Sequence, residues 1–170
     1  ECLVRQLLDD CSDLRSFDDT PWSDSDAGYW PHITYAKSID RMLVVAKVDG
    51  DGVVNCGTMS SSDANSQDVT WGTSGPYAFT TDSNIDNISI AWDENLDKGI
   101  IVYQGDSEYG KYATFSVNTS TNVVTINSGG TSAGTFQSSV VHPKVIWNQN
   151  EGHFLVIYRD AGDSYKMNFR

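Results

Sequence analysis

The sequence has 170 residues, with 11 basic and 23 acidic side chains and therefore a net charge of −12 when the histidines are neutral. This length suits one domain or several small repeated units. The apolar fraction of 39%, which rises to about 47% when the 14 glycines are included, is ordinary for a folded protein and excludes an extended disordered chain. The negative charge repels phosphate backbones and anionic lipids, so nucleic acids and membrane surfaces are not expected partners.

The first 30 residues fall outside the pattern that organises the rest of the chain. Apolar residues between Leu7 and Phe17 have the spacing of a short amphipathic helix, and an extended closing strand from Cys2 to Leu8 is the alternative. The start at Glu1 rather than Met predicts a processed piece or a fragment of a longer protein. No apolar run approaches the roughly 20 residues that span a bilayer, so membrane insertion is not expected.

Residues 31 to 170 contain a repeat of about 55 residues. An aromatic anchor marks each copy, at Tyr35, Trp92 and Trp147, which gives a period of 57 and then 55 residues. Turns rich in Gly and Asp divide each copy into short β-branched and aromatic segments. The predicted strands lie at 33–35, 42–47, 53–59 and, with a weaker pattern, 69–72; at 90–92, 99–104, 111–117 and 122–127; and at 145–147, 154–159 and 165–169.

Four short antiparallel strands in a unit of about 55 residues are typical of a propeller blade. The sequence therefore predicts an all-β, β-propeller-like fold of three tandem four-stranded antiparallel blades with a short N-terminal extension. The predicted limits are 1–30 for the extension, 31–86 for blade 1, 87–141 for blade 2 and 142–170 for a partial blade 3.

The predicted second strands are apolar without alternation, which indicates burial on both faces between stacked blades. The anchors Tyr35, Trp92 and Trp147 are expected to fill the gaps between neighbouring blades.

Three copies are fewer than the roughly four to eight blades of ordinary rings. The chain is then part of a longer propeller, or one of two chains that close a six-bladed ring, or an open array capped by another subunit. The third copy lacks a fourth strand. The N-terminal segment or a neighbouring chain is expected to add one.

The stretch Ile90–Asp93 followed by Gly99–Lys111, with its echo at 145–165, resembles propeller-type repeats in structural proteins of marine bacteriophages, such as tail fibres and receptor-facing virion components. The resemblance covers about residues 31 to 170. It implies a non-enzymatic virion structural or host-receptor-binding protein in an oligomeric assembly, at the virion surface or otherwise extracellular. Its expected partners are other copies of itself or other virion proteins, and a cell-surface glycan is a candidate ligand. Tyr35 and Ala46 depart from the Trp and Tyr of the second copy, which predicts a terminal blade with different packing.

Acidic turns supply the candidate metal ligands. Asp49 and Asp51 in the first copy, and Asp106 and Glu108 in the second, offer the carboxylate oxygens that calcium prefers. Tight turns also select Asp and Gly for conformational reasons, so a purely structural role stays open. No other cofactor is expected. The odd cysteine count, three in all, indicates neither a zinc knuckle nor a disulfide-dense scaffold.

Exposed aromatic residues such as Trp71 and Tyr109 are candidates for stacking on sugar rings, and packing between blades or on the N-terminal segment is the alternative interpretation. The second candidate function is therefore a secreted carbohydrate-binding, lectin-like propeller, or a glycoside hydrolase fragment. A hydrolase needs two carboxylates about 5–10 Å apart in a pocket. The sequence points to no such pair, so no catalytic residue is assigned.

Overall fold

The computed structural model of the chain describes residues 29–59, 69–128 and 133–170. The extension predicted at 1–30 lies outside the described residues, apart from Tyr29 and Trp30, which begin the first strand. The strands are β1 (Tyr29–Ala36), β2 (Arg41–Val48), β3 (Asp51–Met59), β4 (Val69–Trp71), β5 (Tyr77–Thr80), β6 (Asp86–Asp93), β7 (Lys98–Gln104), β8 (Gly110–Asn118), β9 (Val123–Ser128), β10 (Gly134–Gln137), β11 (Val140–Asn148), β12 (His153–Asp160) and β13 (Lys166–Phe169).

The strands form three antiparallel sheets, which we call the first (β1–β5), the middle (β6–β10) and the third (β11–β13). Their first three strands pair in chain order through short turns, as hairpins do. The helical elements in the described residues are 3-10 turns of three residues at Lys37–Ile39, Asp106–Glu108 and Ala161–Asp163. The all-β class that the sequence predicts is confirmed. Among the described strands, the sheets form no closed barrel.

Two short strands, rather than one, cover the outer edge of the first and middle sheets. In the first sheet, β4 pairs with the end of β3 and β5 pairs with its start. In the middle sheet, β9 and β10 pair with β8 in the same way. The sequence analysis assigns no strand to the positions of β5 and β10, which have four residues each. The same interrupted edge in two copies shows that the repeat is structural.

The first strand of every sheet contains a bulge at the same repeat position. Trp30, Asn87 and His142 have φ values of 58°, 53° and 53°, and the strand register shifts around each of them. A positive φ is uncommon outside glycine. Its recurrence at the spacing of the anchors indicates that the three copies share one backbone path.

The first and middle sheets pack through one apolar core. Leu43 and Val45 of β2 belong to it, together with aromatic residues of the middle sheet. Trp92 lies against Phe115 with ring centroids 5.8 Å apart, and Tyr103 lies 5.3 Å from Phe79 at the edge of the first sheet. Each such buried aromatic ring removes on the order of 150–250 Å² of surface from water.

The opposite face of the middle sheet packs on the third sheet. Ala91 and Val102 form this second core with Val156 and Tyr158 of the third sheet. Since successive residues of a strand point to opposite faces, Ile101 enters the first core while its neighbour Val102 enters the second. The middle sheet is therefore buried on both faces, as predicted for its second strand.

The second strand of the first sheet is also buried on both faces, since Met42 and Leu43 point to opposite sides and both are buried, whereas other residues of the two end sheets are exposed. Tyr35 is 54% exposed, whereas Trp92 at the same repeat position is 3% exposed. The prediction that Tyr35 fills a gap between sheets is wrong, because it projects from the side of the first sheet opposite the core that it shares with the middle sheet. Burial on both faces is also wrong for β12, where Ile157 is 37% exposed on the side away from the middle sheet.

Trp92→Ala is expected to lower the free energy of unfolding by about 3–5 kcal/mol, because it opens a cavity between two sheets. Tyr35→Ala, at the equivalent exposed position, is the matched control and is expected to cost less than about 1 kcal/mol. Urea denaturation followed by circular dichroism measures both values. Similar losses for the two variants would contradict the packing described above.

Candidate interaction surface

The residues predicted to bind calcium lie in equivalent turns of consecutive sheets. Asp49 and Asp51 flank the tip of the β2–β3 turn, and Asp106 and Glu108 belong to the β7–β8 turn. All four residues are exposed. Within the described residues, no group of three or more His, Cys, Asp or Glu side chains is placed to hold a metal ion. Calcium binding at these turns stays a prediction from the sequence.

The two aromatic residues predicted to stack on sugars lie in different sheets. Trp71 is at the end of β4 and is partly buried, with its ring next to the backbone of Gly57. Tyr109 follows the β7–β8 turn and is 43% exposed. Sugar stacking by either residue stays a prediction. The contact of Trp71 with Gly57 lies within the first sheet, so packing between sheets, the alternative interpretation, also stays a prediction for Trp71.

Two of the cavities in the described part of the chain bear on a catalytic role. One, of about 210 Å³, lies between the middle and third sheets and is apolar apart from Arg170. The other, of about 370 Å³, contains one carboxylate, Asp93, which accepts the backbone N–H groups of Asn95 and Leu96. Neither cavity holds the two carboxylates that glycoside hydrolysis needs. Asp93 has a structural role in its turn.

Cys56 is the cysteine within the described residues, and it is buried in the first core as a free thiol. Burial raises the pKa of Cys56 to about 11. The thiolate is the nucleophilic form of cysteine, so this residue is unsuited to catalysis at neutral pH. Cys2 and Cys11 lie outside the described residues.

A repeated hydrogen bond fixes each sheet relative to the next. His32 Nδ1 accepts the backbone N–H of Ile90 at 3.0 Å across the gap between the first and middle sheets. Ser89, at the repeat position of His32, accepts the N–H of Val145 through its hydroxyl at 3.2 Å across the second gap. Because hydrogen bonds are directional, this bond fixes the position of one sheet along the next.

The bulges and turns add further contacts between sheets. Trp30, the bulge residue of the first sheet, donates its Nε1–H to Asp86 of the middle sheet at 3.1 Å. The bulge residues of the middle and third sheets contact each other, with His142 Nδ1 2.7 Å from Asn87 Oδ1. At the other end of the first strands, Glu94 accepts the backbone N–H groups of Lys37 and Ser38. The gap between the first and middle sheets is therefore held by polar groups at both ends and by apolar side chains between them.

The side of the third sheet that faces away from the middle sheet is an unpaired apolar surface. We call it the outer face. Phe169 is 77% exposed there, and Ile157 pairs with it across β12 and β13. The outer face consists of side chains that alternate along the strands with the buried ones: Ile146, Leu155, Ile157, Met167 and Phe169.

The outer face is the repeat equivalent of a buried face. In the middle sheet, the pairing of β7 with β8 places Val102 opposite Tyr112, as Ile157 stands opposite Phe169 in the third sheet. Val102 is fully buried against the third sheet, and Tyr112 packs on the same core. The outer face thus has the composition of an interface although, in the described chain, no sheet packs on it. Exposed apolar patches of this kind mark sites of association.

Comparison with protein-family models, with curated proteins and with solved structures gives no match for this chain. The assignment of a function therefore depends on the geometry of the molecule. Within the described residues, no helix has the length and hydropathy needed to cross a membrane.

His32 is expected to make the free energy of unfolding decrease as the pH falls from about 7 to about 5. Burial and the nearby positive charge of Lys144 lower the pKa of His32 below its usual 6.5. The unfolded chain then binds the proton first, so the stabilisation is complete above the unfolded pKa and is lost as the pH falls towards the folded one. Protonation also removes the Nδ1 lone pair that accepts the Ile90 N–H.

His32→Gln, whose amide oxygen is able to accept the same N–H, is expected to flatten this pH dependence. Urea denaturation at several pH values measures the slope. His153→Gln, which alters an exposed ring at the start of β12, is the matched control and should keep the wild-type slope. An unchanged slope in His32→Gln would contradict the role assigned to His32.

Proposed function

We propose that this chain is a non-enzymatic structural module that works inside an oligomeric assembly and is built as a propeller-like array of sheets. The array is supported by the repeated packing of one sheet on the next, with the first strands β1, β6 and β11 as neighbours across the gaps. The interrupted fourth strand in two of the sheets also supports it. In such an array each sheet covers its neighbours, and the end sheets need covering by something else.

The outer face is the observation that carries this proposal. Its apolar residues stand at the positions of a sheet-to-sheet interface, yet Phe169 and Met167 are largely exposed. A protein of net charge −12 has many charged side chains available for its surface, so apolar residues at five positions of one face indicate a surface that another sheet covers. Association through the outer face buries these side chains, just as packing on the third sheet buries Val102 of the middle sheet.

We place this assembly in a virus particle, as a structural or host-receptor-binding component at the virion surface. What supports this setting is the resemblance of residues 31–170 to repeats in marine bacteriophage structural proteins. Other copies of the chain, or other virion proteins, are then the partners. A glycan on the host cell is the ligand that a receptor-binding role would add.

Ile157→Lys is expected to weaken association at least about tenfold, because it places a charge in the centre of the outer face. Sedimentation velocity over a range of concentrations measures the mass of the full chain, which is 18.7 kDa for one copy. Leu96→Lys is the matched control, since Leu96 is an exposed apolar residue in the β6–β7 turn, outside the outer face. A wild-type chain that stays a stable 18.7 kDa monomer at all concentrations would contradict the proposal.

A further inference from the structure

The partner of the outer face follows from the order in which the sheets pack. The first sheet presents Leu43 and Val45 to the middle sheet, and the middle sheet presents Ile100 and Val102 to the third. Each of these two contacts between sheets therefore joins a forward face to a backward face. A forward face points toward the next sheet in chain order, and a backward face points toward the preceding one. The outer face is the forward face of the third sheet, so the surface that complements it is a backward face.

Among the three described sheets, the first sheet has a backward face that is exposed along β1. In the middle sheet the backward face carries Ile90 and Trp92, which are buried under the first sheet. Their repeat equivalents in the first sheet are Ile33 and Tyr35. Ile33 is 53% exposed, and Tyr35 is exposed to the same degree. The exposed part of this face follows β1, since Met42 of β2 on the same side is buried. We call Ile33 and Tyr35 the β1 face.

Charge distinguishes the β1 face from a second outer face as the partner. Lys144 and Arg159 lie exposed on the strands of the outer face, on the side of Ile157. Two outer faces packed on each other would bring these cations together, and like charges at an interface are unfavourable. The β1 face has an acidic group, Asp40, whose carboxylate accepts a hydrogen bond from the Tyr35 hydroxyl at 2.5 Å. Packing the outer face on the β1 face avoids this repulsion, because neither Ile33 nor Tyr35 carries a charge.

We propose that the outer face of the third sheet binds the β1 face of a second copy of this chain, head to tail, so that the first sheet of one copy continues the array of the other. This inference rests on the proposed function and names the partner of the same surface. A head-to-tail contact uses different patches on the two copies, so it builds closed rings or open chains rather than symmetric pairs.

Two variants that each block one end test this arrangement. Ile157→Lys blocks the outer face but leaves the β1 face intact, whereas Ile33→Lys does the opposite. Both positions are exposed, so both variants are expected to keep the circular dichroism of the wild type. Sedimentation velocity should show that each variant alone is a monomer at concentrations where the wild type and Leu96→Lys associate.

An equimolar mixture of the two variants is the deciding sample. The intact outer face of Ile33→Lys should bind the intact β1 face of Ile157→Lys, which gives a species with the mass of two chains and nothing larger. If Ile33→Lys associates as the wild type does, or the mixture stays monomeric, the head-to-tail contact is wrong while the proposed function survives. A wild type that is monomeric throughout would overturn both.

Discussion

A β-sheet that is apolar on both faces is stable only between two other surfaces, and the middle sheet is the clearest instance in this chain. Ile101 and Val102 are neighbours in β7, and they enter different cores. Because burial of apolar surface is the main favourable term in folding, each core stabilises the sheet from one side. Neither hairpin pairing nor turn geometry would hold the strands of β6 to β8 together with one of their faces in water.

The polar contacts across the gaps fix the position of each sheet relative to the next. The hydrogen bonds from Ile90 to His32 and from Val145 to Ser89 repeat at the period of the anchors, although His and Ser differ chemically. What the two positions share is an acceptor that faces a backbone N–H of the next sheet. Lys144, at the same position of the third sheet, is a donor. The polar pattern therefore changes at the outer face, where the apolar pattern continues.

The sequence predicts the all-β class, the period and most of the strands, because the anchors and the Gly and Asp turns are local signals. It does not predict β5 and β10, whose pairing depends on where the edge of the sheet is interrupted. The bulges at Trp30, Asn87 and His142 also leave no signal, since the three residues are of different types. The exposure of Tyr35 and Ile157 was missed for another reason. A residue pattern shows that a face is apolar, but whether a neighbouring sheet covers it depends on the position of the copy in the array. The candidate calcium and sugar sites were suggested by residue type alone, whereas the interaction surface emerges from the arrangement of the three sheets.

Amide hydrogen exchange across the three sheets tests most directly that the fold depends on a sheet covered on both faces. Measured by NMR in native buffer, the amides of β6 and β7 should exchange slowest, at rates set by global unfolding, and those of β13 should exchange fastest among the paired strands. Equal protection in β7 and β13, or faster exchange in the middle sheet than in the end sheets, would contradict this account.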